Sequence, residues 1–353
     1  MAVLAATASA TTLYVTTTAD STSFFASDCA TSTNTDCSLR SAIGAESAGD
    51  TIIFTGAGAS GTIKLTGAAL PVIVAATTVQ GPGANQLTIS GAGLYSIFIL
   101  ESGASLNISG LTLAHAQGTA IDFGATGSLT VANCAFVDNA STNNGAAIDT
   151  IAPATVTGST FEGNSDSGAG GAIATTANLT VVNSTFWNNS TTHGGGAIMV
   201  YAGSASLNVS LTNDTFAGNS SASDGGAVLF TPTAGTLTAD SDIFSNNSAA
   251  INGGGISSYA GATANIADAI YWNNVSAASP DCYACTTDGG VDVTSNPLTL
   301  PLALYGGTTP TLLPQPGSAA ICAESALEAT SAGLTSDQRG FSIASTCANG
   351  GID

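Results

Sequence analysis

Residues 179–200 read LTVVNSTFWNNSTTHGGGAIMV, and the same order of features recurs from Leu129 to Asn274. A β-branched run is followed by Phe-x-x-Asn, then small polar residues, then glycines and an aliphatic residue. The aromatic anchors are Phe136, Phe161, Phe186, Phe216, Phe244 and Tyr271. The asparagines are Asn139, Asn164, Asn189, Asn219, Asn247 and Asn274, and the closing aliphatics are Ile148, Ile173, Ile198, Val228 and Ile256. Successive aromatics lie 25, 25, 30, 28 and 27 residues apart, and the aliphatic column shifts by the same amounts over the positions it shares. Two columns that keep register through insertions identify a stacked-repeat architecture.

The contents of each repeat fix its type. Runs such as Leu179-Thr180-Val181-Val182 are short, alternating and bounded by Asn and Gly, as strands are. No repeat has room for an amphipathic helix. Three short strands and three turns in about 25 residues make one coil of a parallel β-helix, with coils stacked roughly 4.8 Å apart. Phe then stacks on Phe inside and Asn on Asn at a turn, where Asn bonds local backbone and tolerates the left-handed region. The glycines suit tight corners or positive φ. The fold expected is all-β: a right-handed parallel β-helix of about ten coils with a helical N-terminal cap and an irregular C-terminal cap, because solenoids need polar-faced ends.

Organisation along the chain follows. Residues 1–10 end in an Ala-x-Ala pattern and read as a signal-peptide remnant or an artificial start. Residues 11–50 supply a first strand and a cap in which Ser38 to Ser47 form a short helix, and Arg40 binds an acid or carbonyls. Residues 51–285 form the β-helix. Residues 286–353 hold the last strands and the C-terminal cap, where five prolines from Pro297 to Pro316 discourage ladder pairing.

At these residues a family resemblance enters. The pairs FEGN…GGAI, FWNN…GGAI and FAGN…GGAV resemble the repeats of chlamydial polymorphic outer-membrane proteins. CSLR at residues 37–40, followed by GDTIIF, resembles the N-terminal CSLREA-type module of secreted bacterial β-helix proteins, although Ser41 replaces the usual Glu. GGTTPTLLPQPGSAAI and DQRG resemble a choice-of-anchor closing region. The resemblance implies a secreted or cell-surface protein, in a family whose members continue beyond CANGGID.

Composition restricts the partners. Three basic residues, Arg40, Lys64 and Arg339, stand against 23 acidic ones for a net charge of −20. Nucleic acid needs a Lys/Arg footprint and is excluded, as are anionic membranes and polyuronates. No run of about 20 apolar residues is present for insertion into a membrane. Seven cysteines fit an oxidising compartment. The expected disulfides are Cys29–Cys37, Cys282–Cys285 and Cys322–Cys347, leaving Cys134 as a buried, inert thiol.

Candidate chemistry is sparse. Polygalacturonase-like and pectate-lyase-like sites require basic residues that these three positions cannot supply. Asp214 and Asp242 each precede an anchor by two residues, so they stack on adjacent coils about 5 Å apart. With Asp240 they are a candidate calcium site, a glycosidase pair or simple turn caps. Trp187 and Trp272 follow anchors directly, point outward by alternation and are the candidate ligand-binding residues for a glycan or partner protein. Eleven Asn-x-Ser/Thr triplets are either glycan acceptors or a by-product of Asn-rich turns. The expected function is a non-catalytic extracellular adhesin or scaffold. Its partner is a glycan, a surface protein or copies of itself. The alternatives are a self-assembling filament subunit, a divergent polysaccharide-degrading enzyme and, ranked lower, an ice-binding protein.

Overall fold

The computed structural model describes residues 10–21, 26–124, 126–201, 206–259, 261–287, 295–318, 320–321, 324–325, 335–342 and 351–352. Each coil visits the same faces in the same order. Sheet A has eleven strands, from Thr12–Val15 to Thr286–Thr287, and sheet B has nine, from Gly61–Lys64 to Ile270–Trp272. Sheet C has eight, from Phe98–Leu100 to Cys282–Tyr283. A fourth sheet, D, has five two-residue strands from Ala140–Ser141 to Ser248–Ala249. It lies between B and C, where the sequence suggested only a turn. Every rung in these four sheets pairs in parallel with its neighbour, as in Thr185–Trp187 between Thr160–Glu162 and Thr215–Ala217. Eight strands in sheet C correspond to about eight complete turns, fewer than the ten expected.

The strands are short because a single left-handed residue breaks each one. Between sheets A and B stand Asn133, Gly158, Asn183, Asn213, Ser241 and Asp268, with φ between 47° and 61°. Between B and D stand Asp138, Gly163, Asn188, Gly218, Asn246 and Asn273. Asn, Asp and Gly enter this region at the least cost. The positive φ therefore belongs to the residue before each repeat asparagine, which corrects the turn role expected of Asn139 and its equivalents.

Those asparagines instead tie coil to coil. Nδ2 of Asn189 donates to Oδ1 of Asn219 at 2.9 Å and to the carbonyl of Phe161 at 2.9 Å. Its Oδ1 accepts from Asn164 in the same way. The ladder runs unbroken from Asn139 to Asn274 and ends on the Asp281 carboxylate, 3.1 Å from Asn274 Nδ2. These buried amides have no room for a glycan, so the triplets at Asn139, Asn189 and Asn219 are not acceptors in the folded protein.

The core lies inside the coil. Phe136, Phe161, Phe186, Phe216 and Phe244 are fully buried, with centroids 4.5–5.0 Å apart and planes within 9°. Tyr271 extends the stack at 5.5 Å. The glycines before sheet C serve two needs. Gly195 has φ +69°, and a Cβ on Gly196 would lie 2.0 Å from the carbonyl oxygen of Gly226 on the next coil.

At the N-terminal end, helix α1 (Leu39–Ala45) packs beside Thr12–Val15 with Leu39, Ala42 and Ile43 in the core. The Ser38 hydroxyl caps it by accepting from the Ser41 amide at 3.1 Å. Buried Arg40 forks onto Asp20 at 2.7 and 2.8 Å and donates to the carbonyls of Ala68 and Ala69. Both partners foreseen for it are present.

The C-terminal region departs from expectation. Residues 309–311 and 336–338 pack not on the last coil but against earlier rungs, along the outer face of sheet B. Thr309 donates to the carbonyl of Gly158 at 3.0 Å, and the Pro310 carbonyl accepts from Thr160 at 2.5 Å. The Gln338 amide is held among Thr160, Thr185, Thr309 and Pro310. Proline lacks an N–H but keeps its carbonyl, and the outward threonines of sheet B supply the hydroxyl donors. In the DQRG turn Gly340 N–H donates to Asp337 O at 3.0 Å, and Arg339 pairs with Asp337.

Cys29–Cys37 and Cys282–Cys285 are disulfides, and Cys134 is a buried free thiol. Cys322 and Cys347 lie outside the described residues. Among the described residues no helix is long and apolar enough to cross a membrane.

Candidate functional site

The two carboxylates singled out from the sequence are neighbours, as their spacing required. Thr215 pairs with Ile243, which puts Asp214 and Asp242 on adjacent rungs at the corner between sheets A and B. Both are buried. They belong to a second inter-coil ladder, formed by the residue after the left-handed corner. Ser159 Oγ accepts from Cys134 N–H, Ser184 Oγ from Ser159 N–H, Asp214 Oδ1 from Ser184 N–H and Asp242 Oδ1 from Asp214 N–H. Asp214 Oδ2 also takes the Thr212 amide at 3.1 Å, whereas Asp242 Oδ2 has no hydrogen-bond partner. Burial pushes both pKa values well up, and the Asp214 charge adds to the rise at Asp242. The Asp214 amide opposes that rise, and the Asp240 charge adds to it. Asp240 itself ends a sheet A strand, half-buried, and accepts from the Ser241 hydroxyl at 3.0 Å. Among the described residues no three His, Cys, Asp or Glu side chains are placed to hold a metal ion together. The carboxylates here link one coil to the next.

Trp187 and Trp272 lie in the outward column of sheet B, three rungs apart, and both are half-buried. Neither lines either of the two cavities described below. A cavity of about 160 Å³ does lie on this side, between the returning C-terminal region and the A–B corner. Asn213, Asp242, Asp268, Gln338 and Arg339 are among its walls.

The more developed site is on the opposite side of the coil, on sheet C. The residue after each closing aliphatic points outward, and five consecutive rungs carry Asp122, Asp149, Ala174, Met199 and Leu229. The glycine turns leading into sheet C stand beside this column. Together they enclose an open cavity of about 450 Å³, walled by Asn144, Gly168 and His193 and floored by Met199, Tyr201 and Leu229. Wall and floor meet tightly: a Cβ on Gly194 would lie 2.3 Å from Leu229 Cδ2.

Carboxylates gather at the N-terminal end of this groove. Asp122 and Asp149 are direct rung neighbours. Burial, followed by the charges of Asp122 and Asp166, pushes Asp149 up to about 7. Burial also raises Asp122. Asp166, on a sheet D strand, is 4% exposed; it accepts from the Gly168 amide through Oδ1, while Oδ2 has no partner. Burial raises its pKa too, and the Gly168 amide, then the Ser141 hydroxyl and lastly nearby His193 draw it part of the way back. Tyr201 is pushed up to about 12 by burial and by the charges of Asp149 and Asp166. The group thus acts as one electrostatic unit. The sequence reading passed over it, although a signal existed: AIDF and AIDT place Asp at the same offset from the aliphatic column.

Chemically, the groove offers a carboxyl pair with one member near neutrality and an apolar floor on the same face. Comparisons with curated proteins and with solved structures give no match. Residues 95–269, which carry most of the corners, ladders and groove just described, match the family described as a right handed beta helix region, and the fold of the chain is a right-handed parallel β-helix.

Proposed function

We propose that the protein is a non-catalytic extracellular scaffold or adhesin that binds a glycan or surface protein along its lateral face, at the sheet C groove. The observation that carries this reading is the groove itself. A cavity of about 450 Å³ with an apolar floor lies directly beside unpaired carboxyls, on a rod whose interior is stacked and hydrogen-bonded. Ligand sites are typically concave and apolar with a few placed polar groups. Disulfides and the near absence of basic residues suit an oxidising exterior setting. A glycan and surface-protein array tests it. Specific capture of a member supports binding, and uniform silence across the array contradicts it.

A second reading has one observation in its favour. Asp149, raised to about 7 beside Asp122, is the type of pair that serves as acid and base in glycoside hydrolysis. Incubation with a polysaccharide panel and detection of new reducing ends separates the readings. Release of reducing ends that Asp149→Asn abolishes would make the protein a hydrolase.

A further inference from the structure

We propose that the sheet C groove docks an extended, basic segment of a partner protein. An ammonium group would sit at the Asp122–Asp149–Asp166 end, and an apolar side chain over Met199 and Leu229. This rests on the reading of the lateral face as a binding surface and goes further by naming the chemistry of the occupant.

Nothing in the described chain compensates the charge at this end of the groove. Among the described residues no hydrogen bond or ion pair reaches the Asp122 or Asp149 carboxylate. Asp166 adds a buried oxygen without a partner, and its charge acts on Asp149 and Tyr201, so it belongs to the same cluster. The protein's own Lys and Arg side chains lie elsewhere. Arg40 is paired with Asp20 and Arg339 with Asp337, while Lys64 lies exposed on the first strand of sheet B. Carboxylates held together without a counterion attract a cation from outside.

The rest of the groove specifies what accompanies that ammonium. From Asp149 the column continues through Ala174 and Met199 to Leu229, changing from acidic to apolar along the axis. Three rungs span roughly 14 Å, and an extended chain rises about 3.4 Å per residue, so same-face residues four apart cover the same length. A lysine followed four positions later by leucine fits both ends at once. The net charge of −20 further favours a basic polypeptide over the neutral or anionic chains of most glycans.

Alternation of charge state gives the site a dependence on pH. The groups facing Asp149 are Asp122 on its own sheet, Asp166 on sheet D, His193 on the turn and Tyr201 beyond the next rungs. Asp149 loses its charge as pH falls through about 7. Attraction for an ammonium therefore weakens on acidification.

The test uses the full chain and a fluorescent, end-blocked peptide of Gly and Ser carrying Lys and, four positions on, Leu. Fluorescence anisotropy at physiological ionic strength should report binding that weakens on acidification through pH 7. Asp122→Asn combined with Asp149→Asn should weaken it about tenfold or more. The charge-matched control, Asp28→Asn with Asp36→Asn, removes two acids at the N-terminal cap, away from the groove, and should leave it within about twofold. Equal loss in the control, or equal binding of a peptide with norleucine in place of Lys, would overturn the proposal. Binding of a glucosamine oligomer but not of the peptide would overturn it in favour of an amino-glycan. If the array identifies a partner that the groove variants still bind, this inference and the placement at the groove both fail, while binding elsewhere on the lateral face stands. If no partner and no peptide binds, both fail.

Discussion

The amide N–H of Asp214 donates to Oδ1 of Asp242, 2.7 Å away on the next coil. One carboxylate thereby serves as acceptor for the backbone of another carboxylate's residue, inside a buried corner. The neutral members of the same column, Ser159 and Ser184, do this without a charge. The arrangement asks for an acceptor at Asp242 and gains nothing from ionisation.

Stability should therefore depend on this residue's proton. Burial and the Asp214 charge raise Asp242 above the unfolded value of about 3.9. The native state then holds a proton that the unfolded state releases. The associated stability is fully present below the unfolded pKa and is lost as pH rises toward the native one. Each unit of elevation corresponds to about 1.4 kcal/mol. Asp242→Asn keeps the acceptor and cannot ionise. Thermal melts should show the variant matching wild type in acid and exceeding it at neutral pH. Curves that run parallel across the range would contradict this account, and a wild-type gain on adding calcium would point to a cation there.

The asparagine ladder makes a second demand. Asn189→Ala removes the acceptor for the Asn164 amide and leaves the Phe161 carbonyl without its side-chain donor. Buried groups left without partners cost about 1–3 kcal/mol each. Denaturant unfolding should show a loss of about 2–6 kcal/mol for the pair of them. A change within about 0.5 kcal/mol, as for an ordinary surface site, would mean the ladder is ornamental.

Phe186 sits between Phe161 and Phe216 with centroids 4.5 and 4.8 Å away. Phe186→Ala should cost about 3–5 kcal/mol, as large-to-small changes in packed cores do. A loss below about 1 kcal/mol would be incompatible with a filled column.

Cys134 should be chemically silent in the native protein. Burial pushes its thiol up to about 12, and the reactive species is the thiolate. Iodoacetamide should label it only after denaturation. Non-reducing mass mapping should return the Cys29–Cys37 and Cys282–Cys285 links. Native labelling, or Cys134 in a bridge, would contradict its inward placement.

What the sequence revealed depended on recurrence. Phe186 and Asn189 could be placed because their columns repeat five times in register, and stacking turns sequence spacing into spatial adjacency. Asp214 and Asp242 were placed beside each other by the same logic. Their pairing with the backbone of the preceding coil was not legible, because a spacing carries no hydrogen-bond direction. The sheet C acids were missed for a related reason. Asp122 precedes the regular Phe-x-x-Asn series, and Asp166 joins it and Asp149 only through the fold of an intervening turn. Alternation put Trp187 and Trp272 outward but could not show that both are half-buried. The prolines after Pro297 announced the end of the ladder. They did not reveal that Pro310 would turn back and offer its carbonyl to Thr160.

The central claim is that recognition belongs to the sheet C groove and not to the tryptophan face. It is tested by applying three proteins to one glycan and surface-protein array: wild type, Asp122→Asn with Asp149→Asn, and Trp187→Ala with Trp272→Ala. The account expects the partner captured by wild type to be lost by the aspartate variant and kept by the tryptophan variant. Retention by the aspartate variant together with loss by the tryptophan variant would contradict it.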